Sequence, residues 1–520
     1  MFEVNRRNFI KGGMAAAAIC LTGCGDSDNP FVVTPNRGIP GANFLQPPVL
    51  QSANGSLSTT FDVQYVTTTL NTPVGDRSCF LRTWNGFVGG PTLRVRPGDQ
   101  MTIQVNNQLP ANTDPVPPDH NTPHHFNTIN LHTHGLHVSP NQDDVLTPIP
   151  PGTSKTYVYD IPADHPCGTF WYHAHKHGST AMHLMSGMAG LIIVEGEVDN
   201  DPGVAEAAQV DFVIQEINLK GLSDQNSDPQ GIFEVPDYVT PGPFARDDSF
   251  FTVNGAFIPE LVVNPGRTVR LRILNASTRN SMPISIPGAQ MIIISLDGIT
   301  LPQPRTVETV RLAPANRVDV VLRFDEPGTF VVRKEEFQNG GGAAFPAQGL
   351  AVIKVQGEAF NLPLPSGNLT TPSQLPSIQP GEVTEPMRTL TYAVTPNMGP
   401  VIGGMNAAKF SMDGVLFDPN VVNQTISLNS VIEWKLENTS GAWHSHHIHI
   451  NPFQVFETSD GELNGLPLTE PVWLDTVDIP PMGFVKFRSR YPDFTGKYVQ
   501  HCHVLTHEDI GMMQIVEVVP

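Results

Sequence analysis

Short segments in which apolar and polar residues alternate recur along the whole chain. Thr102-Ile103-Gln104-Val105 and Val269-Arg270-Leu271-Arg272-Ile273-Leu274 are two of them. Residues two apart share one face of an extended strand, so each segment predicts a strand with one face fit for burial. These segments belong to a larger block that repeats. The first copy runs from Asn85-Gly86 through Thr92-Leu93-Arg94-Val95 and Pro97-Gly98 to Val105-Asn106. A second runs from Asn254-Gly255 through Glu260-Leu261-Val262-Val263 and Pro265-Gly266 to Leu274-Asn275. A worn third begins at Asp413-Gly414 and passes through Val421-Val422 to Leu436-Glu437-Asn438. Each copy opens on a hairpin-type dipeptide, and the first two break between strands at Pro-Gly. The copies start at 85, 254 and 413, intervals of 169 and 159 residues. That period is far too long for a solenoid, so the repeated unit is a whole domain.

Composition agrees with this picture. The chain has 520 residues with 45 Gly and 49 Pro and only 15% charged residues, which suits many short strands joined by turns. The reading is therefore all-β, with three consecutive β-sandwich domains at about 45–198, 199–358 and 386–520. A proline-rich stretch, 359–385, reads as a linker. A formal net charge of -20 would repel a phosphate backbone, which excludes nucleic acid as a partner.

The N-terminus reads as an address. Asn5-Arg6-Arg7-Asn8-Phe9-Ile10-Lys11 looks like a twin-arginine export signal, followed by an apolar run from Met14 to Leu21 that is too short to span a membrane. Leu21-Thr22-Gly23-Cys24 resembles a lipobox, so residues 1–23 would be removed and a lipid on Cys24 would tether the chain. A plain signal cleaved nearby is the alternative. Residues 24–44 then form a linker. Either way the expectation is export: a periplasmic protein, or a lipoprotein anchored on the outside of the cytoplasmic membrane. Cys79 and Cys167 could pair in such a compartment or remain as separate thiols.

All 18 histidines fall between His120 and His183 or between His444 and His507; the middle domain has none. Two domains distant in sequence are thus expected to share a metal site, with the middle one spacing them. Four clusters stand out: His132 with His134; His173 with His175; His444, His447 and His449; and His501-Cys502-His503 with His507 and Met512. Each His-X-His on a strand presents both imidazoles to one side. An extended 501–503 segment would aim Cys502 one way and its two neighbours the other. Cys502, His507, Met512 and His444 supply two His, one Cys and one long axial Met, the donor set of a blue-copper site. Zinc is the other candidate ion, but Met512, five residues after His507, suits copper better. Eight imidazoles remain.

These four clusters resemble the copper signatures of the multicopper oxidases, and the likeness covers nearly the whole chain after the signal. It implies three cupredoxin-like Greek-key β-sandwich domains and four copper ions. His132 and His447 would be type 2 ligands. His134, His173, His175, His449, His501 and His503 would hold the type 3 pair, and His444, Cys502, His507 and Met512 the type 1 ion. Glu508 and Asp143 match two acidic residues that the family places near the trinuclear site. Each would serve as a proton relay or would fix an imidazole, with Asp144 able to substitute for Asp143. The partners implied are dioxygen and a small reductant, a phenol or a metal ion.

Within the family the chain reads as laccase-like. Dedicated cuprous oxidases carry a methionine-rich insert and a Met and an Asp just before the type 1 His. Here Ala442 and Ser440 precede His444, and Met387, Met398, Met405 and Met412 are scattered. A copper-free relative on the same fold would have lost ligands that this chain keeps. A copper nitrite reductase would lack the paired His-X-His clusters. His120, His124 and His125, in a proline-rich loop, and His137, His165, His177, His183 and His446 read as supporting or surface groups.

Overall fold

The three predicted hairpin dipeptides fold alike. In the computed structural model, which describes residues 44–219, 222, 230–231, 249–340, 344–402 and 405–520, both residues of each pair are left-handed. Their φ values are 53° and 79° for Asn85-Gly86, 50° and 78° for Asn254-Gly255, and 54° and 77° for Asp413-Gly414. That pairing is the mark of a type I′ turn, which only Gly, Asn and Asp adopt readily. The turn side chain also does the same work each time. Asn85 Oδ1 accepts from the Asp62 amide (2.7 Å), Asn254 Oδ1 from Val213 (2.9 Å) and Asp413 Oδ1 from Thr391 (2.8 Å). The second turn repeats too. Gly98 and Gly266 are left-handed, and in the third copy Asn429 stands at the matching place with φ 67°.

Six sheets of five or six strands account for the described chain, with two small two-stranded ribbons. They face each other in pairs and give three sandwiches of cupredoxin type. One parallel pairing recurs at the same place in each: Ser56–Thr72 with Gln100–Asn107, Ala208–Asn218 with Thr268–Ala276, and Arg388–Thr395 with Val431–Asn438. Two parallel neighbours require the chain between them to cross to the opposite sheet, which is how each sandwich closes. In the first, Leu57, Phe61 and Ile103 of one sheet meet Leu93, Tyr172 and Ile192 of the other in one core.

The alternation predicted for the first and third copies is seen directly: Gln100–Asn107 and Val431–Asn438 bury every second residue. The second copy differs. Thr268–Ala276 is buried throughout, arginines included. Its outward face lies against the N-terminal sandwich, where Arg270 and Arg272 donate to Asp319 and Asp199, and Arg272 also to Thr169. Paired in this way, the guanidinium groups tolerate burial.

The 359–385 stretch carries no strand, yet it is fixed: Thr370 Oγ1 bonds Asp201 (2.6 Å) and the Ile378 amide bonds Gln454 (2.8 Å). Cys79 and Cys167 are not joined to each other by a disulfide. The export segment 1–23 and the lipobox Cys24 lie outside the described residues. Among the described residues no helix is long and apolar enough to cross a membrane.

Candidate metal centre

Strand Gly496–Cys502 carries the centre. It pairs antiparallel with His444–Ile448, in a register that sets His447 opposite His501 and His446 opposite Cys502. Cys502 and His501 therefore face opposite sides of the sheet. On one side Cys502 Sγ lies 3.5 Å from His444 Nδ1 and 3.7 Å from His507 Nδ1. His507 stands on the short helix Leu505–Glu508, whose exit returns Met512 beside it; the Met512 amide bonds the His507 carbonyl (3.0 Å). Ser440 Oγ sits 3.0 Å from the far nitrogen of His444. Burial pushes the Cys502 thiol up to about 12, so only a bound cation would hold it as thiolate near neutral pH.

Behind that strand the other eight histidines converge between the first and third sandwiches. Strand His132–His134 pairs with Gly168–His173 and sets His132 against His173. The nitrogens sort into two triads, His134, His173, His503 and His175, His449, His501, each with its donor atoms within 4.8 Å of one another. His132 and His447 share a third group with His134. Both triads draw from both ends of the chain. His501 Nε2 is 3.1 Å from His175 Nε2 and 3.3 Å from His449 Nε2. Two nitrogens each about 2.0 Å from one ion at tetrahedral angles would stand about 3.3 Å apart.

The imidazoles are prepared as ligands. His132, His173 and His447 each use Nδ1 on an oxygen, of Asp143, the Ala174 carbonyl and the Asp475 carbonyl. Their Nε2 atoms are buried without a partner, as are His134 Nδ1 and both nitrogens of His503. Burial first, then mostly the neighbouring imidazoles, lowers the proton affinity of all eight, leaving neutral rings with lone pairs directed inward. Orphaned nitrogens in this arrangement fit metal cations, and the thiolate–thioether set at Cys502 fits copper.

Asp143 is buried against this group. It accepts from His132 Nδ1 (2.7 Å) and from the Thr133 amide (2.8 Å), and lies 3.5 Å from His449 Nδ1. Asp144 instead pairs with Lys155 near the surface (2.7 Å) and takes no part. Glu508 is fully buried, with Oε2 3.3 Å from His501 Nδ1 and Oε1 3.6 Å from His175 Nδ1. Burial, then neighbouring Asp509, pushes the proton affinity of its carboxyl well above the usual carboxylate range.

Several contributors escaped the sequence reading. Asp509 accepts the Thr180 and Ala181 amides and so ties helix Thr180–Met185 to the Glu508 segment. Asp475 accepts from His134 Nε2 at 3.1 Å, and its carbonyl accepts from His447 Nδ1 at 2.8 Å. Arg317, from the histidine-free middle sandwich, forks onto Asp475. Asp297 accepts the amides of Arg317 and Thr476; burial, then Asp475, pushes it up to about 7. Only strand register and domain docking bring these groups to the histidines. Among the supporting histidines, His446 meets the Tyr392 hydroxyl at 2.6 Å, His183 donates to the Phe126 carbonyl, and His137 reaches Asp493 and the Ile450 carbonyl.

Fold and site together define a copper oxidoreductase of cupredoxin architecture. Family models described as multicopper oxidase match residues 120–199, 213–358 and 390–520. The chain belongs to the multicopper oxidases, enzymes that bind copper and use dioxygen as electron acceptor. It is 26% identical over 447 residues to a multicopper oxidase, mco, of Staphylococcus haemolyticus, covering 84% of this chain and 83% of that one. It is 27% identical over 489 residues to a laccase of Bacillus stratosphericus, covering 84% and 91%. A solved multicopper oxidase from Campylobacter jejuni, described as a metallo-oxidase, superposes with a TM-score of 0.73 at 23% identity, over 95% of this chain and 99% of that one.

Proposed function

We propose that this oxidase is laccase-like: it takes single electrons from phenols or similar small reductants and delivers four to dioxygen, giving water. One observation carries the reading. The eight inward imidazoles fall into two triads and a pair, and the cysteine of a separate donor set lies on the strand segment that bears His501, with His503 just beyond it. Four coppers would be held: type 1 by His444, Cys502, His507 and Met512, type 2 by His132 and His447, and the type 3 pair by the two triads. Copper in these sites supplies one-electron acceptance at the first and dioxygen reduction at the other three.

The protein's own part is to order and insulate. The backbone from Cys502 to His501 and His503 is a short covalent connection between the two sites. Asp143 holds His132 and, through Thr133, its strand. Glu508 is the proton carrier in this proposal. Its carboxyl faces the outer nitrogens of His175 and His501, and Thr180 Oγ1 donates to it at 3.1 Å.

Electrons would enter at half-buried His507, the ligand of its group nearest solvent. Phe410 lies flat on that imidazole, with ring centroids 3.9 Å apart, and forms an aromatic wall suited to a phenol. A metal-ion reductant is the second reading. It is favoured by Met482, which is 73% exposed and whose amide bonds the carbonyl of Ser440, the residue touching His444. Turnover of a phenol panel against Cu(I), followed by oxygen consumption, tests the ranking; exclusive use of Cu(I) would reverse it. Export by the twin-arginine route, with or without a lipid on Cys24, belongs to the same proposal. It is tested by fractionating cells that carry the wild-type chain and Arg6→Lys/Arg7→Lys.

A further inference from the structure

Three histidines outside the ligand set share one cavity with a ligand. His120, His124 and His177 line a half-open space of about 190 Å³ whose wall also includes His175. Each of the three ties one ring nitrogen to an oxygen that can only accept. His120 Nε2 meets the Phe417 carbonyl at 2.8 Å, and His124 Nδ1 meets the Thr122 carbonyl at 2.8 Å. His177 Nε2 meets Asn121 Oδ1 at 3.1 Å, and the amide nitrogen of Asn121 is already committed to Asp119 and to the Phe417 carbonyl. Those nitrogens must carry the protons, so in the neutral ring the opposite nitrogen bears a lone pair. His177 Nδ1 is buried without a partner. This is the device that prepares His132, His173 and His447: a fixed tautomer with the free nitrogen left for a metal.

We propose that His120, His124 and His177 are a transit site through which copper ions pass from solvent to His175 as the trinuclear centre is loaded. The cargo is a single soft or borderline cation, for which imidazole is a fitting ligand. Among the described residues the three do not form a group with donor atoms within 4.8 Å, as the eight inward histidines do. The Lys176 ammonium, bonded to the His124 carbonyl at 3.0 Å, adds a repelling charge at the same wall. Dispersed donors beside a cation release an ion readily, as a passage must.

The inference rests on His175 being a copper ligand. Its test is the rate at which copper-free protein, supplied with Cu(II), gains the type 2 paramagnetic signal, compared with the rate at which the blue band of the Cys502 site appears. In His120→Asn/His124→Asn/His177→Asn the type 2 signal should grow about tenfold or more slowly while the blue band appears at the wild-type rate. Equal rates of both in variant and wild type overturn the proposal. Should the variant fail to fold, Ag(I) added to copper-loaded wild type is the second probe. An extra ion that shifts the ring resonance of at least one of His120, His124 and His177 supports the transit site; no shift in any of the three overturns it. Wild-type protein that never gains a type 2 signal would instead refute the trinuclear assignment itself.

Discussion

Arg317 grips Asp475 with a two-pronged bond, Nη1 to Oδ1 at 2.8 Å and Nη2 to Oδ2 at 2.6 Å, and both side chains are buried. The arginine comes from the middle sandwich, the aspartate from the third, and the aspartate holds His134 of the first. The histidine-free domain is thus more than a spacer: it braces the metal centre where all three sandwiches meet. A fork of this kind fixes direction as well as charge.

Removing the arginine should leave Asp475 and Asp297 buried without their counter-charge. Arg317→Met is expected to lose about 3–5 kcal/mol of stability. It should also bind copper incompletely at the eight-histidine site while keeping the proposed blue site, whose Cys502 donor set lies on the other face of that strand. Denaturant unfolding and copper content per chain check both outcomes. Unchanged stability with full copper would show that the brace is dispensable.

Cys502→Ser should be colourless and inactive, because among the described residues no other side chain near His444 and His507 offers a thiolate. Visible absorption of the copper-loaded variant is the check, and a retained blue band would remove the assignment.

His447→Ala separates the two sites. Its Nε2 points at the group shared with His132 and His134, whereas the Cys502 donor set does not include it. The blue absorption should persist and oxygen uptake should stop. Uptake at the wild-type rate would contradict the type 2 role proposed for this residue.

One ion pair fastens the first sandwich to the third at the surface. Burial alone would make His137 harder to protonate, but Asp493 (3.0 Å from Nε2) and the Ile450 carbonyl outweigh it and raise its proton affinity above the usual 6.5. A histidine raised in the folded state contributes stability fully below its unfolded value, and the contribution fades as pH climbs through the folded value. Asp493→Asn should therefore lower the melting temperature most below pH 6.5 and least at alkaline pH. A difference from wild type that grows with pH would contradict the pairing.

The sequence made some of this legible and hid the rest for physical reasons. Asn85-Gly86, Asn254-Gly255 and Asp413-Gly414 announce their turns because few residues tolerate that backbone. The His-X-His pairs announce ligands because strand geometry alone puts both rings on one face. Arg270 and Arg272 were legible as strand residues but not as buried ones, since their burial depends on a neighbouring domain. Asp475 is 28 residues from His447 in the chain and meets it only through the pairing of His444–Ile448 with Thr476–Ile479. Arg317 needs the docking of a third domain. Local patterns fix turns and ligand faces, whereas the bracing groups depend on long-range register.

Copper per chain, measured in fully loaded protein together with its paramagnetic spectrum, bears most directly on the whole account. Four ions are expected, one type 1 and one type 2 visible and a coupled pair silent. A chain that saturates with a single copper, or that fills the eight-histidine site with zinc, would contradict it.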